Sequence, residues 1–366
     1  MRIGIVGDGQ LGRMLALAAW PMNVHVFSVS TETHGPNRAL LPHMVLDVMA
    51  QGDLERLAVA ADVVTYESEN TDLVAMSFLE RQGVVVAPRT EALRVSQDRV
   101  VEKQFFNDRG IETAPWAAVD DDATLVAAVE QVGLPGILKT RRFGYDGKGQ
   151  ARVRTLDEAL KARAMLGDAL IYEGFVNFTR ELSVVGARGA DGSRVFYPVA
   201  ENVHEHGILR LSVAPAPSLG DLQMQAESML ARIMDGLEYV GTAALELFEV
   251  DGRLVANEMA PRVHNSGHWT IEGAETSQFA NHVRAIAGLP LGTTRARGYA
   301  AMVNVIGNFP DRNAVLAVPD AHWHDYGKAP RHARKIGHIT VVRPTRDSLD
   351  EAVAVLTRLV AETADG

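Results

Sequence analysis

Asn257-Glu258-Met259-Ala260-Pro261-Arg262-Val263-His264-Asn265-Ser266-Gly267-His268-Trp269 gathers one acid, one arginine, two histidines and two asparagines into a single short stretch. It continues an apolar run that reads as a strand. A second acid, Glu246, sits in Thr242-Ala243-Ala244-Leu245-Glu246-Leu247-Phe248, another strand-like run. Asp251-Gly252 joins the two runs and is the strongest short-range hairpin signal, because the tight turn that matches strand twist needs positive φ at both central residues. A hairpin there brings Glu246 and Glu258 side by side. Two adjacent carboxylates repel unless a cation lies between them, so the pair predicts a divalent metal.

Upstream, Leu134-Pro135-Gly136-Ile137-Leu138-Lys139 is a short strand ending in a lysine, which is costly unless the amine meets an anion. The loop Arg142-Phe143-Gly144-Tyr145-Asp146-Gly147-Lys148-Gly149-Gln150 follows. Its three glycines and flanking cations can lay backbone N–H groups on phosphates. The spacing is not that of a P-loop, and the loop leads into another strand, so it reads as a hairpin flap; a plain hairpin without a ligand is the alternative. Residues 169–176 form a strand with one acid, Glu173, at its exit. Further antiparallel strands are expected after Glu181 and at 195–199 and 207–213, with 201–206 connecting them. His204 in that connection reads as a surface histidine. Residues 219–237 form an amphipathic helix.

Downstream, 275–288 is a helix closed by Gly288 and Pro290, and 299–307 a strand. The only dense basic stretch lies at 322–338 and includes Lys328, Arg334 and Lys335. It is either a solvated loop or a phosphate site, and cations concentrated in an acidic chain favour the phosphate. A last helix covers 348–361.

At the other end, residues 1–7 are a strand, and Gly7-Asp8-Gly9-Gln10-Leu11-Gly12 leads into a helix. This is a formal G-x-G-x-x-G, but the acid wanted at the end of the second strand is missing: that strand ends in serines, and Glu32 comes late. A dinucleotide site, a loop of N–H groups for another anion, and a structural turn all stay open. Strands at 61–67 and 83–87 complete a parallel sheet. Glu67-Ser68-Glu69-Asn70-Thr71 lies at its carboxyl edge, either as a ligand segment or as a helix cap. A helix opening at Ser96-Gln97-Asp98-Arg99 carries Arg99 and Lys103 on one face, read by default as solvated. Residues 110–115 look like a domain boundary.

The chain has 366 residues, 47% hydrophobic and 22% charged, which supplies a core for two or three domains. A net charge of -10 without a basic tail argues against general nucleic-acid binding. With no cysteine, disulfides and thiolate metal sites are excluded. No apolar run is long enough to span a membrane and no signal-peptide layout is present, so a soluble cytoplasmic protein is expected. One arrangement joins the parts. A nucleotide triphosphate lies between two sheets, with Lys139 and the loop on its phosphates, Glu173 near base and ribose, and Glu246 and Glu258 on Mg²⁺.

These segments resemble the ATP-grasp superfamily and, within it, the N5-carboxyaminoimidazole ribonucleotide synthetase family. The resemblance rests on Gly9 to Met14, Gln97-Asp98-Arg99, Phe143 to Gln150, Glu201 to His204, the opening stretch and Arg334-Lys335-Ile336-Gly337-His338, in the expected order. Asp8 stands where that family commonly has glycine. The resemblance implies an α/β and α+β ATP-grasp fold. It comprises an N-terminal parallel α/β (pre-ATP-grasp) domain at 1–112, a central lid subdomain at 113–176, and a C-terminal ATP-grasp sheet domain at 177–366 with an extension from about 295.

The implied reaction carboxylates 5-aminoimidazole ribonucleotide with bicarbonate and ATP through carboxyphosphate, in purine synthesis. Arg99, Lys139, Gly144, Tyr145, Asp146, Gly147, Lys148, Gly149, Gln150, Glu173, Gly174, Phe175, Val176, Glu181, His204, Asn257 and Glu258 would contact ATP. Glu246 and Glu258 would hold two Mg²⁺ ions. Arg262, His264 and Asn265, with Lys148, would act on bicarbonate or carboxyphosphate. Gln10, Leu11, Glu69, Tyr145, Asp146, Arg262, Trp269, Lys328, Arg334 and Lys335 would hold the ribonucleotide. A homodimer with no nucleic-acid or membrane partner is expected. Another ATP-grasp carboxylate ligase acting on a purine precursor is the alternative, and a dinucleotide-dependent oxidoreductase a more distant one.

Overall fold

Apolar runs bounded by turn residues become strands in three separate sheets. The computed structural model describes residues 1–33, 35, 37, 40–144 and 148–363. The N-terminal sheet is five-stranded and parallel, with Arg2–Val6 in the centre. His25–Ser30 and then His43–Val45 lie on one side, Val63–Tyr66 and Val85–Val86 on the other. Helices cover both faces, which is why the central strands are mostly apolar. Ile3 and Ile5 pack with Leu11, Met14 and Leu15 on one face, where Phe279 and Val283 join from a helix late in the chain. Leu54, Leu57, Met76 and Leu79 cover the other. Strand order reverses beside Arg2–Val6, so the carboxyl ends of Arg2–Val6 and Val63–Tyr66 flank a switch point of the kind where open sheets bind ligands.

A four-stranded antiparallel sheet follows, in the order Trp116–Val119, Leu170–Gly174, Gly136–Thr140, Gln150–Val153. Its helices, Asp122–Val132 and Leu156–Leu166, bury Leu125, Ala128, Ala159 and Ala162 against it. Asp121 starts the first of them with a reciprocal capping box to Thr124. The third sheet has nine strands. Its main path runs Arg253–Ala260, Gly241–Val250, Arg180–Arg188, Ala200–Glu205, Ile208–Ala214, Tyr299–Ile306, Lys335–Arg343, Ala321–Asp325, all antiparallel. Among the described residues, no helix is long and apolar enough to cross a membrane.

Three local expectations change. Ala200–Glu205 is a strand, not a connection, because its inward polar side chain is satisfied: Asn202 donates to Ser183 Oγ at 2.9 Å and accepts from Ser212 Oγ at 2.7 Å. The basic stretch is not a single loop: it includes most of one strand and begins another. Arg99 and Lys103 do share a face of the helix Arg99–Asn107, but that face is buried. Lys103 is 2% exposed and donates to Asn257 O at 2.8 Å. Its neighbour Glu102 accepts from Met259 N at 2.8 Å. This helix is thus fastened beneath the hairpin that carries Glu246 and Glu258, and Phe106 joins the core of the nine-stranded sheet.

Candidate active site

The hairpin forms as its turn requires. Asp251 and Gly252 adopt φ of 49° and 74°, between the antiparallel strands Gly241–Val250 and Arg253–Ala260. Pairing is Leu245 with Met259 and Leu247 with Ala256, so Glu246 alone faces both Asn257 and Glu258. That two-against-one mismatch is a β-bulge, a device that re-aims side chains beside functional sites. It lets two consecutive residues line the same cleft as Glu246. Burial pushes the Glu246 carboxyl up to about 7, and the Glu258 charge adds to the rise. Burial acts on Glu258 in the same sense, but Arg99 at 2.5 Å outweighs it and holds that carboxyl below its ordinary range.

The cleft has a volume of about 730 Å³, within the range of small-ligand sites. Lys139, Gly144, Lys148 and Gln150 line it from the four-stranded sheet and its loop. The loop joins two antiparallel strands, as a flap does, with Lys139 opposite Gln150 and Gly149 at φ 72°. Tyr145, Asp146 and Gly147 lie outside the described residues. Arg99 reaches the loop at Gly144 O, 3.3 Å away. An apolar part of the wall was not anticipated: Ile137, Leu209 and the stacked rings of Phe178 and Phe248, 4.7 Å apart. Phe248 was legible as a cleft residue, since it stands two positions from Glu246 on one strand and so on the same face. His204 is not a free surface histidine; its Nδ1 lies 2.5 Å from Glu181 Oε2, and both line the cleft.

Past the bulge the chain leaves the sheet, and Arg262, His264 and Asn265 line the adjoining wall. Arg262 Nε donates to Glu69 Oε2 at 2.5 Å, tying this wall to the N-terminal sheet. His264 Nδ1 accepts from Ser266 N at 3.3 Å, which leaves the ring proton on Nε2, 3.3 Å from Glu246. Burial, helped by Arg262 and Lys335, lowers this imidazole to about 3, so it is neutral. Asn265 Nδ2 is buried with no acceptor among the described residues. A guanidinium, an imidazole N–H and an amide N–H therefore line one wall of the cleft, donors of the kind that suit a small oxyanion.

Gln10, Leu11, Glu69 and Lys335 line the far wall. Lys328 donates to Gln10 Oε1. Arg334 Nη1 donates to Ala329 O at 3.2 Å and stands near Lys328. In the glycine-rich loop the Gly9 and Gly12 amides are already taken. Glu67 accepts from Gly9 N at 2.5 Å and Gly12 N at 2.8 Å, filling the helix N-terminus with the protein's own carboxylate. A Cβ at Gly7 would run into Glu67 Cγ, and one at Gly9 would stand 2.8 Å from its Oε1. The glycines thus make room for Glu67, which removes the pyrophosphate site a dinucleotide would need.

Gly149, Glu173 to Val176, Trp269, Lys328 and Arg334, all expected at the site, do not themselves line the cleft. Trp269 is 1% exposed and packs edge-on against Tyr197 in the core, because the short turn Asn265–Gly267 carries the chain inward. Glu173 is buried behind the wall, with Oε2 3.1 Å from Lys139 and 3.5 Å from Lys103. Its strand ends beside it: Gly174 N and Phe175 N donate to Pro115 O and Pro135 O, and Val176 is half-buried. From sequence Glu102 carries no assignment, Lys103 reads as solvated and Glu67 as part of a ligand segment or helix cap, because nothing local says which partner waits across the fold.

The carboxylates fit a divalent cation. Glu246 and Glu258 face one another with more buried negative charge than both can keep as anions, and both offer oxygen. Among the described residues no third His, Cys, Asp or Glu completes a metal cage. Two facing carboxylates suit Mg²⁺, which typically takes one or two and completes its shell with phosphate oxygens and water.

Comparison with known families matches residues 1–97 to the ribonucleotide synthetase preATP-grasp domain. Residues 104–279 match the ATP-grasp domain, and 300–352 the phosphoribosylaminoimidazole carboxylase C-terminal domain. The chain is 47% identical to N5-carboxyaminoimidazole ribonucleotide synthase of Pseudomonas aeruginosa, over 98% of this chain and 99% of that one. The crystal structure of N5-carboxyaminoimidazole ribonucleotide synthetase from Thermus thermophilus superposes with a TM-score of 0.94 at 50% identity, over 98% of both chains. N5-carboxyaminoimidazole synthase from Aspergillus clavatus, solved in complex with ADP and 5-aminoimidazole ribonucleotide, superposes with a TM-score of 0.90 at 30% identity, over 99% of this chain and 98% of that one.

Proposed function

The chain belongs to the N5-carboxyaminoimidazole ribonucleotide synthase family, and we propose that its cleft uses ATP to carboxylate the amine of 5-aminoimidazole ribonucleotide with bicarbonate. The observation that carries this reading is the junction at Arg262. The strand bearing Glu258 runs directly into the oxyanion donors, and Arg262 closes on Glu69 at 2.5 Å. Phosphate-side acids and the N-terminal sheet therefore share one cleft.

Lys139, Lys148, Arg99 and the loop backbone hold the triphosphate, while Phe178 and Phe248 offer an apolar face to the base. Glu246 and Glu258, with Asn257 beside them, would hold the two Mg²⁺ ions. Bound there, Mg²⁺ offsets phosphate charge during phosphoryl transfer. Bicarbonate lies against Arg262, His264 Nε2–H and Asn265 Nδ2. Its oxygen attacks the γ-phosphorus, the bond to ADP breaks, and carboxyphosphate forms. The ribonucleotide amine then attacks the carboxyl carbon, inorganic phosphate leaves, and the nitrogen gives up a proton. Because His264 is neutral and donates through Nε2, its role is to steady the developing oxyanion, not to take that proton. Lys328, Arg334 and Lys335 receive the 5′-phosphate, and Tyr145 and Asp146 of the loop close over the site to exclude water from a labile acyl phosphate. A cytoplasmic homodimer belongs to the same reading, and sedimentation of the purified protein tests the assembly.

The deciding assay follows ADP formation with bicarbonate and 5-aminoimidazole ribonucleotide, singly and together. Full turnover should need both. ADP release that proceeds equally in CO₂-depleted buffer would point to another ATP-grasp ligase acting on a purine precursor.

A further inference from the structure

We propose that Glu67 is a positioning residue for the ribonucleotide: by filling the glycine loop it fixes Gln10, and through Gln10 it sets Lys328 at the phosphate end of the cleft. The inference rests on the reading of the cleft given above. Glu67 touches none of the reacting atoms in that reading. Its two oxygens instead bracket Gln10, taking the N–H of Gly9 immediately before it and of Gly12 two residues after. The first turn of the helix Gln10–Ala19 is thereby held at both ends. Gln10 spends its side-chain oxygen on Lys328, 318 positions away in sequence. That contact ties the N-terminal sheet to the segment that carries the basic cluster.

The electrostatics point the same way. Lys328 stands near Arg334 and Lys335, which repel it, and Glu67 is the carboxylate that opposes them. Glu67 itself is half-buried at the cleft wall, with Lys328 and Asp8 as the nearby charges. A carboxylate held by two backbone amides is rigid, so it can preset a lysine without contacting the ligand. The glycines record the arrangement: Gly7 and Gly9 leave no room for a side chain because Glu67 occupies that space.

The test compares Glu67→Ala and Glu67→Gln with the unaltered protein in steady-state assays, with thermal melts to confirm folding. The KM for 5-aminoimidazole ribonucleotide should rise about tenfold or more in Glu67→Ala, while the ATP KM moves less than about twofold. Acetate replaces the missing carboxymethyl group, so it should lower the raised KM in Glu67→Ala but leave the unaltered protein unchanged at matched ionic strength. Glu67→Gln sets an amide donor against a backbone N–H and should show the same split, which decides the matter if Glu67→Ala does not fold. Parallel rises in both KM values, or an unchanged ribonucleotide KM, would overturn the proposal. Failure of the unaltered protein to need both co-substrates would instead count against the reaction, and calorimetric binding of the ribonucleotide then reads the effect of Glu67 directly.

Discussion

Arg99 Nη1 donates to Glu258 Oε2 at 2.5 Å, joining two residues 159 positions apart in sequence. The pair shows how the cleft is tuned. Glu246 and Glu258 share one bulge, yet Arg99 favours the ionised form of Glu258, while Glu246 is shifted to about 7. Two like groups in different surroundings carry protons unequally.

Glu258→Gln keeps the shape and removes the charge. Turnover should fall by about a hundredfold or more and the Mg²⁺ concentration for half-maximal rate should rise, with the circular dichroism spectrum unchanged. A Mg²⁺ titration of ADP formation checks it. Unaltered activity would remove Glu258 from the metal shell.

Lys335→Ala addresses the other end. Lys335 lines the wall with Gln10 and Leu11. The ribonucleotide KM should rise by about tenfold, more than the ATP KM, since a single phosphate contact is lost. Equal effects on both would contradict a phosphate role for this end of the cleft.

Much of this was legible because the signals were local. Asp251-Gly252 announces its turn, and alternation along the preceding strand places Glu246 and Phe248 on one face. The bulge that turns both Asn257 and Glu258 into the cleft leaves no such mark: only the paired register, Leu245 with Met259 and Leu247 with Ala256, reveals it. The glycine loop misleads for the same reason. Its spacing suits a phosphate, and only the fold shows that Glu67, 55 residues from Gly12, already takes those amides. Lys103 read as solvated because a helix face shows its periodicity in sequence but not what it is packed against.

Trp269→Ala separates a core role from a ligand role. Trp269 is 1% exposed and meets Tyr197 edge-on. Truncation should cost about 3–5 kcal/mol in urea unfolding, from lost burial and the cavity left behind. The folded fraction should keep its ribonucleotide KM. A raised KM with stability intact would show that the side chain reaches the ligand after all.

Glu173→Gln tests the buried charge cluster behind the wall, and its pH dependence has a definite sign. Burial alone would raise the Glu173 carboxyl, but Lys103 and Lys139 outweigh it and hold it at about 2, against an ordinary value of 4.5. A carboxylate depressed on folding stabilises the protein above its unfolded pKa, and that contribution fades as pH falls through the folded one. The window therefore runs from 4.5 down to about 2. A shift of this size corresponds to roughly 3 kcal/mol at neutral pH, and removing the acid also leaves two buried ammonium groups facing each other without a counter-charge. Urea unfolding should thus show Glu173→Gln less stable by about 3 kcal/mol or more at pH 7, with the gap closing below pH 4.5. Comparing the two proteins at each pH cancels the other carboxylates that titrate in the same range. A gap that stays constant down to pH 2 would mean that Glu173 is not held ionised by the two lysines.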